Sequence, residues 1–115
     1  MDSRRVIRVK KYDIPSGYVV ALGDEAHLCP VCATRLQDGP PPWDDGCPSF
    51  FYCATCNTEF GFDDDAEVAP TTTLDEAWRS LRERWLATTR SDGDRKRVAE
   101  MLDFIEVNKA NAEAV

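Results

Sequence analysis

Two Cys-x-x-Cys pairs separated by 20 residues, a β-rich segment ahead of them and two amphipathic stretches behind them predict an α+β fold. The expected architecture is a zinc ribbon, two knuckles with short antiparallel strands, that carries an N-terminal β-hairpin and two C-terminal helices. The 115 residues read as a single domain, with the hairpin over 1–26, the ribbon over 27–66 and the helical part over 73–108. A hydrophobic content of 43%, with three Trp, five Phe and three Tyr, is enough for one modest core. A domain of this size buries roughly 65% of its unfolded surface, so support from a metal or a partner is expected.

In chain order, "RRVIRVKKYDI" mixes apolar and basic residues in a pattern that suits a strand better than a helix, and "YVVAL" is a second β-rich run. Pro15–Gly17 between them is a turn signal, which predicts a hairpin. From Cys29 to Phe62 the chain reads as two knuckles joined by a long turn. "DGPPPWDDG" holds three prolines and two glycines and is predicted to be irregular, while "SFFYC" and "TEFGF" flank the second knuckle as antiparallel strands. Ala69–Thr73 is a linker. Thr73 followed by Glu76 forms a capping box for a helix whose face is Leu74, Ala77, Trp78, Leu81, Trp85 and Leu86. A second helix begins near Ser91–Asp94 and runs to about Asn108 on a stripe of Val98, Met101, Leu102 and Ile105, and the final "KANAEAV" is expected to fray.

The chemistry lies in "CPVCATRL" and "CATCNTEF", which share the frame Cys-x-x-Cys-x-Thr-charged-apolar. In a zinc ribbon each such turn aims two sulfurs at one point, and two turns close a tetrahedral site with bonds near ~2.3 Å. The residue after each pair takes a left-handed backbone, which Asn57 tolerates well and Ala33 poorly. Cys29, Cys32, Cys53 and Cys56 are therefore expected to hold one structural Zn2+. A redox dithiol would follow a strand and open a helix, and a catalytic zinc would keep an open position; neither pattern surrounds these pairs. His27, two residues before Cys29, is a conceivable fifth or exchanged ligand, but a lone His beside four cysteines reads first as a surface residue or a support beside the site. Cys47 lacks a partner cysteine and reads as a free thiol near the site or a small, partly buried hydrophobe.

The net charge is −7, and it is unevenly spread. Residues 1–11 carry +4, residues 12–71 carry −10 with Arg35 as their one basic residue, and residues 72–115 carry −1. Asp44, Asp45, Asp63, Asp64, Asp65 and Glu67 read either as a solvated surface or as an acidic face for a protein partner. They do not follow the alternating oxygen-ligand frame of a calcium loop. With a single His no Ser-His-Asp set is assignable and no phosphate-binding loop occurs, so the chain is expected not to be an enzyme. A ribbon offering only Arg35 to phosphates is a poor nucleic-acid binder.

The longest apolar run, Tyr18–Leu22, falls far short of the roughly 20 residues of a membrane span. Residues 1–15 carry basic side chains without an apolar stretch behind them, so a soluble protein made in the cytoplasm is expected. Five cysteines in that setting argue for metal over disulfides.

Together "CPVCATRL", the proline-rich "DGPPP", "FYCATCNTEFGFDDD" and "TLDEAWRSLRERW" resemble, over about residues 27–86, the small bacterial cysteine-rich proteins of the CPCC-type zinc-ribbon family. Val31 stands where that motif has an inner Cys, Ala33 where it has Gly, and the gap between knuckles is longer. The resemblance implies the same four cysteine ligands, and its small stand-alone members look like accessory or toxin-neutralising immunity proteins. The expected function is a non-catalytic, zinc-stabilised immunity-type protein that neutralises a basic bacterial toxin or nuclease through its acidic face. The alternative is a generic zinc-ribbon adaptor in another protein complex. The sequence leaves the partner and the oligomeric state open.

Overall fold

In a computed structural model that describes residues 4–88 and 90–114, β1 (Arg5–Lys11) pairs antiparallel with β2 (Ile14–Ala21), from Arg5 opposite Ala21 to Lys11 opposite Ile14. Val6, Ile7, Val9, Val19 and Val20 are buried, so the strands are apolar on the sides that face the rest of the chain. The hairpin is as expected, but its turn is Tyr12–Asp13 and not Pro15–Gly17. Pairing steps from Lys10 opposite Pro15 to Val9 opposite Gly17, which leaves Ser16 as the extra residue of a bulge inside β2. Because β2 is an edge strand, Pro15 costs the sheet no ladder bond it needs.

The displaced turn is set by tertiary contacts. Tyr12 takes a left-handed φ of 57°, its N–H donates to Gly46 O at 2.8 Å, and its ring stands edge-on to Trp43 at 5.6 Å. Trp43 and Gly46 belong to a second, minimal hairpin, β3 (Trp43–Asp44) with β4 (Cys47–Pro48), whose first strand and loop fall within the segment expected to be irregular. Its loop is Asp45–Gly46, with φ of 52° and 81°, the pair of positive φ values that a two-residue loop between twisted strands requires. A Cβ on Gly46 would fall 2.0 Å from Tyr12 O, so the two hairpin tips interlock only with glycine there.

α1 (Leu74–Ala87) starts at the predicted capping box, in which Thr73 Oγ1 accepts from Glu76 N at 3.1 Å. Its N-terminus is tied to β2: Leu74 N donates to Ser16 Oγ at 2.7 Å, and Tyr18 N donates to Asp75 Oδ1 at 3.2 Å. The bulge residue therefore has a use. Leu74, Ala77, Trp78 and Trp85 are buried as the periodicity predicts, while Leu81 and Leu86 are half-buried.

Gly17 lies directly beneath Trp78, and a Cβ there would sit 2.7 Å from Trp78 Cζ3. Gly17→Ala is expected to destabilise the fold by roughly 1–3 kcal/mol through overpacking, read by chemical denaturation. An unchanged midpoint would mean that the indole yields freely.

α2 (Asp92–Asn108) begins at Ser91, whose hydroxyl accepts from Asp94 N at 3.1 Å. Val98 and Met101 are buried and Ile105 packs against the core as expected, but Leu102 is exposed and Phe104 packs in its place. The C-terminal residues expected to fray instead form regular structure up to 114. A 3-10 turn (Lys109–Asn111) leads into β5 (Glu113–Ala114), which pairs parallel to β1 with Ile7 opposite Glu113. Val115 lies outside the described residues.

The strands expected around the second knuckle reduce to one antiparallel bridge, Tyr52 with Glu59, and a bond from Phe60 N to Phe51 O of 2.9 Å. One core cluster joins hairpin, knuckles and helices. Among the described residues no helix is long and apolar enough to cross a membrane.

Candidate metal centre

Each Cys-x-x-Cys turn is closed by its own backbone. Ala33 N donates to Cys29 O at 2.9 Å and Cys29 N to Thr34 O at 2.7 Å; Asn57 N donates to Cys53 O at 2.7 Å and Cys53 N to Thr58 O at 2.9 Å. The residues after the pairs, Ala33 and Asn57, take φ of 65° and 61°, as expected. The two turns are thus superimposable in their bonding, and they face each other.

Their four sulfurs lie within 4.8 Å of one another, and none is in a disulfide. Cys29 Sγ is 3.7 Å from Cys56 Sγ, and Cys32 Sγ is 3.5 Å from Cys53 Sγ. A tetrahedron of sulfurs on bonds of ~2.3 Å has edges of about 3.8 Å, so the spacing matches a single four-coordinate ion and is far too long for a bond between sulfurs. Cys29 and Cys32 are 0% exposed and Cys53 3%.

Packing four thiols together without a cation sets them against one another. Cys32 is drawn down to about 7, chiefly by the hydrogen bond from Cys29, and Cys53 is drawn down for the same reason, while Cys29 is pushed up, chiefly by its bond to Cys32. A divalent ion relieves the conflict by letting all four ionise.

The surroundings suit that charge. Thr34 Oγ1 stands 3.0 Å from Cys32 Sγ, and the Cys56 thiol donates to Thr58 Oγ1 at 3.3 Å; once the thiols ionise on a metal, the threonine repeated in both halves is placed to donate its hydroxyl to a sulfur. Four thiolates on a divalent ion leave two negative charges, and two arginines approach from the helices. Arg82 of α1 donates to Pro30 O at 2.6 Å and Arg97 of α2 to Cys32 O at 3.2 Å. Neither the threonines' role nor the arginines' was read from the sequence; the repeated Cys-x-x-Cys-x-Thr frame carried the first signal. Thr34→Val and Thr58→Val are each expected to weaken metal retention about 10-fold or more by removing a donor to a ligating sulfur, as measured by competition with a chromogenic chelator.

Among the described residues the metal-ligating group consists of these four cysteines alone. His27 is 3% exposed, pairs through its backbone with Ala21 and is lowered by burial, so it is buried and not a surface residue. Cys47 is exposed in β4 and not partly buried.

The acidic residues separate into two sets. Asp44, Asp45 and Glu67 are exposed, Asp45 with 94% of its side-chain surface open and Lys10 3.8 Å away. The Asp63–Asp65 run, expected on the surface, is engaged inside a π-helical turn, Phe62–Ala66. Asp63 Oδ2 accepts from Glu59 N at 2.7 Å, and Asp65 accepts from Tyr12 Oη at 2.5 Å and pairs with Lys11 Nζ at 3.3 Å. Asp64 is 0% exposed, which removes it from any acidic face.

Asp64 Oδ2 accepts from Trp43 Nε1 at 3.0 Å and Trp78 Nε1 at 2.9 Å, and Oδ1 accepts from Gly61 N at 2.6 Å. Burial raises its pKa, and the three donors oppose that shift. Two buried indole N–H groups need acceptors, and that requirement is what draws the carboxylate inward.

Comparison of the chain with protein-family models, curated proteins and solved structures finds no match.

Proposed function

We propose that this chain is a zinc ribbon of the CPCC type, a non-catalytic protein-binding module that acts as an immunity-type protein against a basic toxin or nuclease. The observation that supports it best is the closed sulfur tetrahedron. A set of four thiols, three buried and Cys56 half-buried, prefers a soft tetrahedral ion such as zinc, and four sulfur ligands fill its shell. The ion then holds a surface rigid.

That surface is acidic. Of the eleven Asp and Glu residues between 12 and 71, eight are exposed, and the one basic residue of that span, Arg35, is tied to Asp38 at 2.6 Å. A field of this sign repels phosphate backbones and speeds encounter with a basic protein. Asp44, Asp45 and Glu67 remain available for it; Asp64 does not.

The test is co-expression with basic nucleases or toxins encoded beside this chain's gene. Restored growth together with an isolable stoichiometric complex is the expected result. A complex with a harmless partner and no inhibition would favour the adaptor reading.

A further inference from the structure

We propose that the partner-binding face is the aromatic edge of the second knuckle, formed by Phe50, Tyr52 and Phe62 around Glu59, and that it takes arginine side chains of a basic protein. The inference rests on the binding-module reading above and names its site and chemistry.

Phe50, Tyr52 and Phe62 are 66%, 63% and 45% exposed, in a chain whose other large rings mostly serve the core. They lie together. Tyr52 is bridged to Glu59, both turned outward while Phe60 beside them is buried; Phe62 N donates to Glu59 O at 3.1 Å. The Phe50 ring lies over Gly61, whose added Cβ would stand 2.9 Å from Phe50 Cε1.

Phe50 also holds a φ of 61°, a left-handed backbone that a bulky side chain rarely adopts. An exposed phenylalanine kept in a strained backbone is poorly explained by stability, and strain of this kind collects at binding sites.

The occupant follows from charge. Bases stack on exposed aromatics only where cations neutralise the phosphates, and Arg35 here is already paired with Asp38. A guanidinium instead gains from both components: the ring faces attract it, and the exposed Glu59 between them matches its charge. Arginine is favoured over lysine because its plane stacks on rings.

The experiment uses the full, metal-loaded chain, labelled with nitrogen-15 and titrated with four probes: an unstructured arginine–glycine peptide, its lysine and glutamate counterparts, and a single-stranded oligouridine. The expected result is that the arginine peptide binds most tightly and shifts the amides of Phe50, Tyr52, Glu59 and Phe62. Tyr52→Ala and Phe62→Ala should each weaken it about two- to fivefold. Phe50→Gly should weaken it too while the melting temperature stays level or rises, an opposition that a packing role would not produce. Equal arginine and lysine binding, indifferent to Tyr52→Ala and Phe62→Ala, would overturn the site and leave the acidic-module reading standing. Binding of neither cationic peptide would remove both, and a preference for oligouridine would replace the protein partner with single-stranded nucleic acid.

Discussion

Purified protein is expected to contain one zinc per chain, and removing it should unfold the region from His27 to Ala66. Structural zinc contributes on the order of 10 kcal/mol to small domains, comparable to the whole stability of a fold this size. The loss should spread beyond the knuckles, because Cys29, Cys32 and Cys53 belong to the same core cluster as Trp78, Trp85 and Met101. Arg82 and Arg97, held on knuckle carbonyls, would also lose the negative centre they face.

Cys53→Ser should reproduce the effect, since three sulfurs and a hydroxyl hold zinc far less tightly. The pH dependence has a definite sign. Metal-bound thiolates stay ionised below the ordinary thiol value of about 9, so stability is present above the pH at which protons displace the metal and is lost as pH falls through it. Elemental analysis with melting curves recorded with and without chelator is the check. Iron in place of zinc would change the ion, and a protein free of metal with an unaltered melting curve would overturn the site.

Much of this was legible in the sequence because the signals are local. Two Cys-x-x-Cys turns specify their own backbone bonds, and Thr73 with Glu76, like Ser91, marks a helix start within one turn of chain. The misread parts depend on partners distant in sequence. The hairpin turns at Tyr12 because Gly46 and Asp65 receive its polar groups, and Pro15–Gly17 becomes a bulge because Ser16 and Gly17 are needed against Leu74 and Trp78. β5 forms because β1 has an open edge, a fact invisible in "NAEAV". Asp45-Gly46 was a readable hairpin signal obscured by the prolines ahead of it. The acidic run misled for another reason: counting charge does not reveal which carboxylate two tryptophans require as an acceptor.

That carboxylate carries the second large prediction. Asp64 joins β3, α1 and the end of the second knuckle through Trp43, Trp78 and Gly61, with each donor aimed at a group that only accepts when ionised. In Asp64→Ala the two buried indole donors and the part-buried Gly61 N–H lose their acceptor, and at about 1–3 kcal/mol for each orphan a loss of at least roughly 3 kcal/mol is expected. Asp64→Asn keeps the shape but not the chemistry. If its carbonyl serves the two indoles, its NH2 confronts Gly61 N–H; the flipped amide leaves the indoles worse off. A loss of roughly 2–4 kcal/mol should follow, whereas Asp45→Asn on the open turn should stay within about 1 kcal/mol. The indole proton resonances supply an internal control. Those of Trp43 and Trp78 should move strongly in Asp64→Asn, while that of Trp85, whose Nε1 meets no acceptor among the described residues, should hardly move. An Asp64→Ala variant as stable as the parent, with all three indole signals in place, would show that the carboxylate merely occupies the space between the rings and does not hold them.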